Sequence, residues 1–240
     1  MPGYVMHIAM AEMMLDILDK KDDTEWSNRF LVGNIIPDMW VQSQKRASHF
    51  WNDETVCLLA RKPDIGMFCG KYGDKISNPY VFGYLCHLYL DKFFIEKYWD
   101  KHFNFYDDDM NENRLFDEVS YVSVKEDEEI YKREDFFSAK LYYGDYDRIN
   151  NYFFDKYKID TKKIVSFMSL GKTKDFNIID EVQFEKARAF FKEAFQELNS
   201  DSKDDGMPQL FVFKLEELEK LIEDTAVFLC KYYNIHKNVT

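Results

Sequence analysis

Nowhere in this chain do about eighteen uncharged apolar residues follow one another, the length a helix needs to cross a bilayer, so the sequence predicts no membrane span. Glycine and proline are scarce, 9 and 5 among 240 residues, which counts against a turn-rich all-β fold and favours long helices. Cysteine is limited to Cys57, Cys69, Cys86 and Cys230, without a Cys-x-x-Cys pair. Three of the four lie among apolar or aromatic neighbours, the setting of buried reduced thiols and not of a disulfide framework. Basic residues are outnumbered, 32 against 44 acidic, for a formal charge of −12. Phosphate neutralisation needs clustered Lys and Arg, so nucleic acid is a disfavoured partner, as is an anionic membrane surface. Gly-rich phosphate loops, a Gly-x-Ser-x-Gly elbow and a Cys paired by motif with His are also missing. The start, MPGYVMHIAMAEMMLDILDKK, has no basic segment before its apolar residues, and His7, Glu12 and Asp16 interrupt them. It therefore reads as the N-terminus of a cytoplasmic protein and not as a signal peptide.

What is present is a hydrophobic content of 46% with 22 Phe and 16 Tyr, enough for a substantial core. The expected fold is all-α, a single multi-helix domain over residues 1–240. Apolar residues recur at helical spacing from Val5 to about Asp19. Thr24 can cap a second helix ending at Gly33, after which Pro37 presents Asp38 from a rigid loop or a new helix start. From Asn78, with Pro79 at the first helical position, a run to about Lys101 is apolar nearly all round, which marks a central helix. Residues 107–134 turn acidic and read as a mobile insertion or a polar helical pair. Further helices are expected near Asp135–Tyr142, Tyr146–Tyr157, Thr161–Leu170, Val182–Leu198 and Leu215–Tyr233, with a polar break at Ser200–Gly206. Residues 1–105 would thus form a core, 106–134 an acidic insertion and 135–240 packing helices.

Chemistry is concentrated in that core. Of five histidines, His7, His49 and His87 precede residue 90, and His87 and Asp91 stand one helical turn apart, so both project from one face. A divalent ion such as zinc needs three or more N, O or S donors converging at about 2.0 to 2.3 Å. The alternative is a buried hydrogen-bonded pair. Against it, an ionised Asp91 in an apolar helix requires a cation or a strong partner, and Lys92 points about 100° away.

Four ordered pieces of sequence resemble the zinc-dependent phospholipase C and S1/P1 nuclease superfamily of all-helical phosphoesterases. They are the early His7, the Gly-Asn-x-x-Pro-Asp loop (Gly33 to Asp38), Lys-x-x-Ser-His-Phe (Lys45 to Phe50) and Gly-Tyr-Leu-x-His-Leu-x-x-Asp (Gly83 to Asp91). The resemblance implies Asp38, His49, His87 and Asp91 as ligands of one metal, with Asp91 bridging to a second held by His7 and the N-terminal amine, here that of Pro2 if Met1 is removed. Ligands for the family's third metal are missing, so the resemblance implies one or two ions, most simply zinc. It also implies a small phosphoester or phospholipid-headgroup substrate and a metal-activated water, with Asp38 orienting that water or accepting its proton.

Lys45, between two of these positions, could neutralise charge on a phosphoryl oxygen, as could Arg46; the alternative for both is solvent exposure. Tyr4, Trp40, Phe50 and Trp51 read as core residues before pocket residues. His102 reads as a surface or interface residue and His236 as solvated. Glu216, Glu219, Glu223 and Asp224 read as the solvated face of an amphipathic helix. Two functions remain: a metal-dependent phosphoester hydrolase, and a non-catalytic helical protein that keeps a structural or vestigial metal site and binds a partner. A helical hydrolase of the HD type would need adjacent His-Asp, which this chain lacks.

Overall fold

In the computed structural model the first helix, α1 (Tyr4–Ile17), is buried on every side from Val5 to Ala11. The structure describes residues 2–39, 44–126, 129–160, 162, 164–165, 176–190 and 207–237. Met1, Trp40 and the Ser200–Gly206 break lie outside the described residues, as do all of Thr161–Leu170 except the helical residues 162, 164 and 165, and residues 191–198 of the expected Val182–Leu198 helix, of which 184–190 are helical. Helix α2 (Thr24–Ile35) is capped by Asp23 and not by Thr24: the Asp23 carboxylate accepts the Trp26 amide at 3.2 Å. It also runs through Gly33 instead of stopping there.

Close helix packing explains that difference. Helix α5 (Pro79–Phe93) crosses α2 so tightly that a Cβ on Gly33 would lie 2.1 Å from the Tyr80 carbonyl oxygen, and one on Gly83 2.1 Å from that of Phe30. Both glycines serve backbone contact. Asn78 caps α5 by accepting the Tyr80 amide at 2.9 Å, as its position before Pro79 predicts. From Tyr80 to Leu88 the helix is wholly buried, and it packs against α2, α1 and α4 (Ile65–Tyr72). A π-type turn (Phe94–Trp99) and a short helical segment (Asp100–His102) continue it. Between α2 and α4 lies the one-turn helix α3 (Lys45–Ser48).

The acidic region is not a helical pair. It contains two strands of a three-stranded antiparallel sheet, β1 (Phe103–Tyr106), β2 (Tyr121–Val124) and β3 (Glu129–Lys132), in the order β1-β2-β3. Phe103 pairs with Val124 and Phe105 with Val122, and all four side chains are buried on one face. Period-two spacing of aromatic and β-branched residues outweighs the acidic bias, which falls in the turns. The chain is otherwise mainly helical, as expected.

Arg133–Phe136 forms a short helix, α6, and α7 spans Tyr142–Tyr157, starting four residues before the expected Tyr146. The last helix, α8 (Leu215–His236), buries Leu218, Leu221, Ile222, Ala226 and Leu229 and packs on α1 and α5. Glu216, Glu223 and Asp224 are exposed as predicted, but Glu219 receives Tyr152 at 2.8 Å and also Lys156 from α7. All four cysteines are free. Among the described residues no helix is long and apolar enough to cross a membrane.

Candidate metal centre

His7 comes from the buried part of α1, Asp38 from the turn after α2, His49 from the end of α3, and His87 and Asp91 from successive turns of α5. The fold brings all five candidates into one cluster. Asp91 divides its oxygens: Oδ1 lies 3.4 Å from His7 Nε2, while Oδ2 lies 3.5 Å from His49 Nε2 and 3.6 Å from His87 Nε2. Asp38 Oδ1 is 3.3 Å from His49 Nε2, and the His49 and His87 Nε2 atoms are 3.4 Å apart. The His7 and His87 rings stack with centroids 3.7 Å apart. His7, His87 and Asp91 form one group able to hold an ion, and Asp38, His49 and His87 another.

Two tautomers are set by neighbours that residue-type reasoning did not identify. His87 Nδ1–H donates to the Asn34 carbonyl at 2.8 Å, so Nε2 faces the cluster with a lone pair. His49 Nδ1 lies 2.9 Å from Ser48 Oγ and 3.2 Å from the Lys45 carbonyl, which orients its Nε2 inward in the same way. Ser48 is itself held by the Pro37 carbonyl at 3.1 Å, and Tyr84 donates to the Ser48 carbonyl. Ser48 and Asn34 belong to the recognised motifs, but a backbone carbonyl acceptor leaves no side-chain signature. Phe50, next to His49, holds the left-handed φ of 52° with its ring buried against Phe68 and Tyr84. For an aromatic residue that conformation is uncommon and marks a backbone held by its surroundings.

The electrostatics call for a cation. Asp91 and the three histidines are completely buried, yet among the described residues neither oxygen of Asp91 and neither nitrogen of His7 has a hydrogen-bond partner. Leaving such groups unpaired costs several kcal/mol, and a divalent ion removes that cost. Burial pushes the His7 imidazole down to about 4, assisted by nearby His87, so it is a neutral donor at ordinary pH. Burial lowers His49 as well. Burial works to raise both carboxyls, but His87 and His7 hold Asp91 low, and Lys45 with His49 holds Asp38 well below the usual carboxylate range. Of the three histidines only His87 is raised, because Asp91 and Asp38 outweigh its burial. The metal-free cluster thus holds two ionised carboxylates against imidazoles of which two stay neutral, a donor set that fits a divalent metal.

Lys45 Nζ lies 3.0 Å from Asp38 Oδ1, and these two are the partly exposed members, with side chains 21% and 11% exposed. Arg46, by contrast, is exposed and pairs with Asp53, away from the cluster. Two histidines differ from expectation. His102 is buried, 2.8 Å from Glu217 Oε2, and with Glu126 makes a third candidate group. Its carboxylates already receive Lys101 and Lys214, so it is better described as a salt-bridge network. His236 is partly buried, its Nδ1 2.8 Å from the Tyr232 carbonyl.

A helical fold that gathers three histidines and two carboxylates in its interior defines a metal-binding protein. The model of the zinc dependent phospholipase C family matches residues 6–202, and the chain belongs to that family. Family and donor set together make zinc its cofactor and a metal-dependent, phospholipase C-like hydrolase its class. No curated protein and no solved structure matches the chain.

Proposed function

We propose that this protein hydrolyses a phosphodiester of the phospholipid-headgroup type, with Asp38, His49, His87 and Asp91 holding one zinc and His7 with Asp91 available to a second. The observation that carries this reading is Asp91, buried among three imidazoles with both oxygens lacking a hydrogen bond among the described residues. Zinc in such a site supplies Lewis-acid polarisation and a water acidified towards neutrality. The chain's own residues do the rest. Lys45 sits where its ammonium can neutralise charge developing on a phosphoryl oxygen. Asp38, held low by Lys45, serves as ligand and as hydrogen-bond acceptor for the attacking water rather than as its base. Asn34 and Ser48 keep the imidazoles in the ligating tautomer.

The same reading treats residues 1–240 as one unit in which 1–105 carry the centre and 135–240 pack round it, supported by the contacts of α1 with both α7 and α8. The test is metal analysis of tag-free protein together with hydrolysis of a generic phosphodiester. Bound zinc with turnover that disappears in His87→Ala supports the hydrolase. Stoichiometric zinc without turnover on a broad panel supports the non-catalytic role, and protein that binds no divalent metal near neutral pH overturns the site.

A further inference from the structure

Seven arginines occur in the chain, and five of them face a carboxylate: Arg29 with Glu25, Arg46 with Asp53, Arg114 with Asp100, Arg148 with Asp145 and Arg188 with Glu185. Arg61 and Arg133 have no carboxylate partner among the described residues. In a chain of charge −12 that is conspicuous, and both line the same cavity of about 750 Å³. They flank one ring: the Arg61 guanidinium lies 4.7 Å and that of Arg133 4.3 Å from the centroid of Phe116. Arg61 also lies 5.2 Å from the centroid of Trp51, another wall of the cavity. Glu134 is on the lining too, but it is exposed and pairs with neither arginine among the described residues.

Trp51 connects this cavity to the metal centre. Its ring centroid is 5.4 Å from that of His49, it is 6% exposed, and its indole N–H has no hydrogen-bond partner among the described residues. Most of the remaining wall is aromatic, including Tyr143, which is half exposed, and Gly3, Leu59 and Asn150 complete it. Two guanidiniums without carboxylates, set in an aromatic cleft one residue removed from the metal-ligand cluster, suit a flat or apolar body that ends in an anion.

We propose that Arg61 and Arg133 form the recognition pocket for a second anionic group on the substrate, so that the preferred phosphoester carries an apolar or aromatic body ending in another phosphate or a carboxylate. This rests on the hydrolase reading above. The guanidiniums bind the terminal anion, Phe116 and Trp51 bind the body, and the scissile phosphoester then falls on the His49 side of Trp51.

The experiment uses the zinc-loaded full chain and three aryl phosphodiesters: one with a carboxylate on the ring remote from the scissile bond, one with a phosphate there, and an uncharged twin. The charged substrates should show kcat/KM at least about tenfold above the twin, mainly through KM, as expected for charge-assisted hydrogen bonds. The larger gain tells phosphate from carboxylate as the natural end. Arg61→Gln should bring the charged-to-uncharged ratio close to one and Arg61→Lys restore part of it, while Arg188→Gln leaves the ratio as it was. Arg133 donates from a terminal guanidinium nitrogen to the Phe116 and Val119 carbonyls, whereas Arg61 is held to the backbone through Nε, which donates to the Leu58 carbonyl at 3.1 Å, so the Arg61 variants decide the matter. Equal kcat/KM for all three compounds, or a ratio insensitive to Arg61→Gln, overturns the pocket. Should none of them turn over, the hydrolase reading fails on its own, and the pocket is judged by calorimetric binding of the same compounds. Tighter binding of the charged pair that is lost in Arg61→Gln upholds it; equal binding overturns it.

Discussion

A carboxylate buried beside three imidazoles, as Asp91 is, persists as an anion only where something positive shares the space, and here the candidates are a proton on His87 or a metal ion. Asp91→Asn keeps the shape and removes the charge, so it should abolish stoichiometric zinc on dialysis at neutral pH. Retention of one zinc per chain would show that Asp91 is not a ligand. Ser48→Ala acts one step away, through the orientation of His49, and should weaken zinc about tenfold, the low end for an outer-shell partner, because the Lys45 carbonyl still faces the same nitrogen. Competition with a metal-chelating dye measures both. His87 and Asp91 were legible in the sequence because one helical turn of separation is a local property. Asn34 was not, since its contribution is a carbonyl oxygen whose position depends on how α2 meets α5.

Between elements, two contacts of different chemistry hold the helices around the centre. At the α2–α5 crossing, a methyl on Gly83 would meet the Phe30 carbonyl oxygen at 2.1 Å, a backbone atom that cannot move without shifting α2. Gly83→Ala should therefore lower stability by about 3 kcal/mol or more, an overpacking penalty at the upper end because the clash is with backbone. It should also weaken zinc, since Asn34 and His87 are carried on those two helices. On α7, the buried Asp145 accepts the amides of Phe211, Val212 and Phe213 at 2.7 to 3.0 Å and the guanidinium of Arg148. This fastens the residues that lead into α8. Asp145→Asn should cost about 3 kcal/mol in urea denaturation, since it breaks a buried charge pair, while leaving the zinc content of the folded protein unchanged. A loss below about 0.5 kcal/mol would mean that the segment is held by its aromatic contacts instead. The long helices α1, α2, α5, α7 and α8 were readable from periodicity, with Gly33 misread as a stop because a close-packing glycine and a C-terminal glycine look alike in sequence, whereas the short α3 and α4 carry too few turns to show a period and the helix expected over Asp135–Tyr142 is only the single turn Arg133–Phe136. The sheet escaped because its strands are four residues long, and the acidic turns around them dominate the composition.

Across the whole molecule, zinc and fold stabilise one another, because the donors come from α1, the turn after α2, the end of α3 and α5, segments far apart in the unfolded chain. What the sequence could not show was which charges lack a carboxylate after folding: that Arg61 and Arg133 have none among the described residues emerges only once the other five arginines have found theirs. Protonation should expose the coupling between metal and fold. His7 falls from 6.5 to about 4 on folding, so the unfolded chain binds its proton more readily, and the stability tied to a neutral His7 is present above 6.5 and lost as the pH falls towards 4. Lowered His49, Asp38 and Asp91 act with the same sign. Between pH 6.5 and 4 the groups that act are His7 and His49, since carboxyls lowered from 3.8 add their loss only near and below that pH, and raised His87 makes its opposing change above 6.5. The Tm of chelator-treated protein should accordingly fall on acidification from pH 6.5 to 4, and His7→Gln should make that fall shallower. Zinc-loaded protein should melt higher at pH 7 and converge on the metal-free curve as its ligands protonate. A metal-free Tm that stays flat across this interval, or a zinc-dependent rise that survives at pH 4, would mean that the imidazoles do not titrate as a ligand cluster.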